Sequence, residues 1–124
     1  MRVDLVADRR PLAKCWRAAV DEYAKRLSGF CVLRMASAAD PRATPLVIAP
    51  DGARLASEEF AARIEAIRGS GRPDIAIFLD GDGPAGAERI ALSRMDMDPG
   101  LRAALVAEQV YRAYRILTGQ PYHK

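Results

Sequence analysis

Short unbroken apolar runs alternate along this chain with stretches in which apolar residues recur every third or fourth position, so strands and helices are expected to alternate. Val3, Leu5 and Val6 predict a first strand. The polar turn Asp8-Arg9-Arg10 then leads to Pro11, a residue suited to a first helical turn. Leu12, Trp16, Ala19, Tyr23 and Leu27 follow at helical spacing and predict a core-facing stripe that Ser28-Gly29 ends. Phe30 to Met35 predicts a second strand, and Ser37 to Thr44 a polar connection containing Pro41. The compact run Leu46-Val47-Ile48-Ala49 suits a strand buried on both faces and closed by a turn at Pro50-Asp51-Gly52. After Ser57, Glu58 and Glu59 sit where a helix N-terminus favours negative charge; Phe60, Ile64 and Ile67 mark its buried side, and Gly69-Ser70-Gly71 stops it. Ile75 to Leu79 predicts a strand running into Asp80-Gly81-Asp82-Gly83-Pro84-Ala85-Gly86, and Ile90-Ala91-Leu92 another. Ser93 to Gly100 reads as a loop, and Leu101 to Thr118 as a final helix with Val106, Val110, Ala113 and Leu117 on one face. The fold class expected is α/β, a mainly parallel sheet flanked by helices, in a single domain over residues 1–124.

Composition narrows the function classes only a little. A chain of 124 residues, half of them apolar, is long enough to bury a core without metals or disulfides. No apolar run approaches the ~20 residues that span a bilayer, and Met-Arg-Val-Asp lacks the hydrophobic centre of a secretion signal, so a cytoplasmic protein with no membrane partner is expected. Cys15 and Cys31 are then expected as small buried hydrophobes. Net charge is +3, with sixteen of the nineteen basic residues arginine, whose planar fork suits phosphate.

Three groups of residues carry candidate chemistry. The glycine turn after the fourth strand lies where open α/β sheets bind ligands, but it has no Lys-Ser/Thr of a phosphate loop, and Asp80 and Asp82 would repel a pyrophosphate. A neutral or cationic cofactor fits better there. Asp80, Asp82, Asp96 and Asp98 have no calcium-loop spacing and no companion histidine, so no metal is expected. In the last helix Glu108 precedes Arg112 by four residues, with Arg115 close behind. Two tyrosines there and the closing Tyr122-His123-Lys124 suit RNA recognition by phosphate contact and stacking.

Glu108-Gln109-Val110-Tyr111-Arg112-Ala113, then Ile116-Leu117-Thr118-Gly119 and the closing Pro121-Tyr122-His123-Lys124, resemble the C-terminal signature of the RlmH family of large-subunit rRNA pseudouridine N3-methyltransferases. Collinear likeness covers the first strand and helix, Ile48 to Gly52, Phe78-Leu79-Asp80-Gly81 and Leu92-Ser93. The resemblance implies a SPOUT fold with a C-terminal trefoil knot, a homodimer, S-adenosyl-L-methionine as cofactor, and 23S rRNA in the large ribosomal subunit or 70S ribosome as partner. Carried over, cofactor contacts fall at Ile48, Gly81, Gly83, Leu92, Ser93, Arg94, Met95, Asp96 and Met97. RNA contacts fall at Arg112, Arg115, Tyr122, His123 and Lys124. The base that removes the acceptor's proton stays open among Asp96, Asp98 and His123, with Arg112 or Arg115 to stabilise developing negative charge.

The chain also departs from the family. Gly81-Asp82-Gly83 stands in place of a Gly-Gly-x-x-Gly loop, and Asp96-Met97-Asp98-Pro99 in place of a Thr-x-x-His-like segment. Ala103, beside Arg102, occupies a family arginine position. A basic helix between the second and third strands is missing, which predicts weaker phosphate-dependent RNA affinity. Two rival expectations follow: a knotted RNA- or ribosome-binding protein with impaired catalysis, and an unrelated small α/β enzyme.

Overall fold

The computed structural model describes residues 1–7 and 12–121. Strands β1 (Arg2–Val6), β2 (Val32–Ala36), β3 (Thr44–Arg54), β4 (Ile75–Phe78) and β5 (Glu88–Ala91) form one sheet in the order β2-β1-β4-β3-β5, every pairing parallel. Helices α1 (Lys14–Arg26), α2 (Ser57–Arg68) and α3 (Pro99–Leu117) pack together, α3 touching both others. The α/β class and the parallel sheet are as expected.

Strand alternation divides the sheet into two unlike faces. Val3, Leu5, Leu33, Leu46, Ile48, Ile75, Ile77, Leu79 and Ile90 join Val20, Phe60, Ile64, Val106, Val110 and Ala113 of the helices in one core. The other face is thinner: Val6 and Ala76 are covered by Ala39 and Ala43, with Phe78 beside them. Parallel neighbours ordinarily return through a helix. Here residues 37–43 and 79–87 make two of the returns without one, and Gly83 of the second lies so close that a Cβ would come within 2.8 Å of Val47 Cγ2.

Several local expectations are corrected. Strand β3 does not stop at Pro50-Asp51-Gly52; it runs on to Arg54, with a register break in which Ile90 pairs first with Ile48 and again with Ala53. A Cβ on Gly52 would lie 2.6 Å from backbone atoms of Arg89 and Ile90, so the close approach of two main chains replaces the turn. Strand β2 begins at Val32 rather than Phe30, and Val32 is exposed on this edge strand. Within α1 only Val20 is fully enclosed, while Trp16 and Tyr23 are half-buried because the helix lies at the margin of the layer. The expected start at Pro11 lies outside the described residues. Cys31 is buried as expected, but Cys15 is exposed, one residue into that marginal helix. Leu117 is only half-buried, in the last turn of α3, and Tyr114 takes the enclosed place instead.

Ends of the helices follow from their sequences. The side chain of Asp98 caps α3 by accepting from the Gly100 amide at 2.7 Å, with Pro99 in the first turn. Gly119, at φ +70°, takes the left-handed position that closes it. In α2, Glu59 reaches back to the Ala56 amide at 2.8 Å, and its acidic first turn sits as the helix dipole favours.

Candidate functional site

The registers Val47↔Phe78 and Ile48↔Ile90 bring the C-terminal ends of β4 and β5 to either side of β3, which itself runs on to Arg54 opposite Ala91. The chain leaving β4 at Leu79 and the chain leaving β5 at Leu92 therefore depart from one edge, where ligands bind in open parallel sheets. Ile48 and Leu92 line a common cavity of about 210 Å³, with Leu55, Phe60, Leu105 and Gln109 around it. Ser57 donates to Gln109 Oε1 at 2.9 Å and ties α2 to α3 at its rim.

The sequence-predicted cofactor residues are not all gathered into that cavity. Ile48 and Leu92 lie on the helix side, whereas Gly83 folds against Val47 and Phe78 on the opposite face. Gly81 is exposed at φ +71°, a conformation that favours glycine, with open space where a Cβ would sit. Ser93 Oγ accepts from the Met95 amide at 3.0 Å, and Asp96 Oδ1 from the Met97 amide at 3.0 Å, so the 92–98 loop is turned on its own side chains. Arg94 and Met95 are exposed, Met97 half-buried.

Three of the four aspartates, Asp82, Asp96 and Asp98, are engaged separately. Asp82 pairs with Arg89 at 3.4 Å, the same guanidinium holding Asp51 at 2.7 Å; Asp96 pairs with Arg102, and Asp98 caps α3. Among the described residues no group of three or more metal-binding side chains converges. As a candidate base, Asp96 is compromised, because its Oδ1 already accepts from both Arg102 and an amide.

On α3, Arg112 donates to Glu108 at 2.9 Å, the i,i+4 pair expected, with both side chains 19% exposed. Arg115 lies 5.6 Å from the centre of the Tyr111 ring and bonds Gln120. Across the helix pair, Arg26 of α1 lies 5.8 Å from the same ring, and Tyr23 packs against Tyr111 at 5.8 Å. Tyr122, His123 and Lys124 lie outside the described residues.

Two buried polar groups were not expected from the sequence. Asp4, 1% exposed in the middle of β1, is held by Arg34 at 2.7 Å and Arg2 at 3.2 Å. Arg2 also bonds Asp40, whose carboxyl is held at about 2 by the Arg42 amide, with the Arg42 and Arg2 guanidiniums assisting. Arg102 is enclosed near the N-terminus of α3 and donates to the Leu79 carbonyl at 2.7 Å. A signal for it existed: extending the Val106-Val110 stripe one turn back lands on Arg102. Tyr114 closes the other end of the helix, its hydroxyl donating to Met1 Sδ at 2.9 Å, and burial raises the pKa of its phenol.

A family model described as "Predicted SPOUT methyltransferase" matches residues 33–123. The chain is 34% identical over 133 aligned positions to "Ribosomal RNA large subunit methyltransferase H 1" of Thermoanaerobacter sp. (strain X514), all of both chains being covered. It is 32% identical over 160 positions to "Ribosomal RNA large subunit methyltransferase H" of Clostridium botulinum (strain Loch Maree / Type A3), again over all of both. The shorter alignment limits the expected shortfall: the chain is much shorter than the clostridial protein, but close in length to the Thermoanaerobacter one.

Proposed function

The chain belongs to the SPOUT methyltransferase family, and on that premise we infer that it is an rRNA methyltransferase acting on the large ribosomal subunit. The finer reading we propose is methylation of N3 of a pseudouridine in 23S rRNA, with S-adenosyl-L-methionine as donor, by a homodimer with the C-terminal trefoil knot of its family. The observation that carries it is the sheet edge at which β4 and β5 end on either side of β3, from which both the glycine turn and the 92–98 loop depart. The unrelated-enzyme alternative is set aside by the family match.

The residues present fit the donor. When bound, it supplies an electrophilic methyl group on a sulfonium. Ile48 and Leu92 offer an apolar wall for an adenine, and Gly81 a turn without a Cβ that admits close backbone approach. Ser93, Arg94, Met95, Asp96 and Met97 form the loop whose amides would edge the ring, and Gly83 holds the turn against β3 and β4. The protein's part is then positional: to align the acceptor nitrogen with the methyl group and exclude water. Arg112 and Arg115, with Tyr122, His123 and Lys124, are proposed to hold the RNA, and the arginines to stabilise the ring's negative charge as its proton leaves. His123 and Asp98 remain the proposed bases, Asp98 also capping α3 through its Oδ1.

A second subunit is supported by exposed apolar side chains: Met95, in the loop leaving β5, is 78% exposed, and Leu105 and Ile116 project along α3 at 40% and 39%. No helix among the described residues is long and apolar enough to cross a membrane, and the proposed location is the cytoplasm, where ribosomes are.

The test is incubation with labelled S-adenosylmethionine and ribosomes lacking the modification, followed by mapping of the methyl group by mass spectrometry. One methyl on a pseudouridine N3 of 23S rRNA is expected. Donor binding without transfer would support an RNA-binding role instead, and absence of donor binding would overturn the cofactor assignment.

A further inference from the structure

Arg102 sits where local physics disfavours it. A cation in the first turns of a helix faces the positive end of the dipole, and a buried guanidinium without partners is strongly unfavourable. Its side chain is 10% exposed. Two acceptors offset these costs: the Leu79 carbonyl at 2.7 Å and the Asp96 carboxylate. The Leu79 amide donates to Val6 of β1, so the ladder is complete on that side, while its carbonyl, just past the last residue of β4, is taken by Arg102. Asp96 is 82% exposed and otherwise bonded only locally, to its neighbour's amide, so the buried arginine ties this outlying loop to the sheet. One side chain thus joins α3, the start of the glycine turn and the 92–98 loop.

We propose that Arg102 is a positioning residue for methyl transfer: by gripping Leu79 and Asp96 together it holds the turn and the loop on either side of the donor in one preformed arrangement. The role rests on the donor reading above. Arg102 acts through these loops and need not touch the donor itself. A preformed pocket removes the cost of ordering loops upon binding, so loss of the grip raises the donor KM more than it lowers kcat.

The experiment compares the full chain with Arg102→Met, Arg102→Lys, Asp96→Ala and the Arg102→Met/Asp96→Ala double variant. Calorimetry measures binding of S-adenosylmethionine and of its demethylated product, and amide hydrogen exchange follows residues 92–98 without either compound. Arg102→Met is expected to weaken binding on the order of tenfold or more, the scale of a lost charge-assisted hydrogen bond. Exchange in the loop should quicken with the sheet unchanged. Arg102→Lys should rescue in part, and the double variant should fall well short of additive. A folded Arg102→Met that binds both compounds like its parent, or with unaltered loop exchange, would overturn the proposal, as would an additive cycle. If Arg102→Met does not fold, Asp96→Ala, altered at an exposed position, carries the same test: quicker loop exchange and several-fold weaker binding support the grip, and parental behaviour overturns it. A parent chain that binds neither compound overturns the donor reading and this role with it.

Discussion

Replacing Gly52 with alanine would test the unexpected course of β3 directly. The added Cβ would lie 2.6 Å from the carbonyl carbon of Arg89 and from the amide nitrogen of Ile90, and 2.7 Å from the Ile90 carbonyl carbon. All three are main-chain atoms of β5, so no side chain can rotate away. Reaching an ordinary contact near 3.4 Å requires the two strands to part by about 0.8 Å. Overpacking of this kind costs about 1–3 kcal/mol where side chains can yield, and the upper end is expected where the backbone must move. With a urea slope of about 1.5 kcal/mol/M, ~3 kcal/mol lowers the unfolding midpoint by roughly 2 M, a large part of the ~5–15 kcal/mol that holds a domain together. Gly71→Ala is the control: nothing lies within 4 Å of its Cβ, and its backbone is not left-handed, so its midpoint should hold or rise slightly. A Gly52→Ala protein that melts within about 0.5 kcal/mol of its parent would refute the close approach of β3 to the β5 backbone.

Three further outcomes are expected. Asp98→Ala should cost about 1 kcal/mol by removing the cap on the Gly100 amide, read by chemical denaturation. Stability should decline above pH ~10: there an unfolded Tyr114 would ionise while the folded one, its pKa raised by burial, keeps its proton, so the unfolded state binds fewer protons and gains as pH rises. Comparing Tyr114→Phe with its parent across pH 9 to 11 isolates this part, at most about 1.4 kcal/mol per pH unit, and equal slopes would contradict it. Leu105→Arg should shift sedimentation toward a monomer if the exposed apolar side of α3 is the subunit contact, while far-ultraviolet circular dichroism stays unchanged.

The sequence determined the element order because each element carried its own period: runs such as Leu46-Val47-Ile48-Ala49 for strands, and Phe60-Ile64 and Val106-Val110-Ala113 for helices. It also determined the family, through residues gathered at the chain's end, and the helix stops at Gly69 and Gly119, where local chemistry suffices. What it could not decide were matters settled by groups distant in the chain. Pro50-Asp51-Gly52 carries every local sign of a turn, yet continues a strand because the β5 backbone lies against Gly52. Asp4 looks like a surface charge in one dimension, and the stripe that places Arg102 inward does not show its partners; only the fold brings Arg34 to one and Leu79 and Asp96 to the other. Periodicity reports which side of an element is buried, but the partners that make burial of a charge tolerable are set by strand order and register, and these emerge when the sheet assembles.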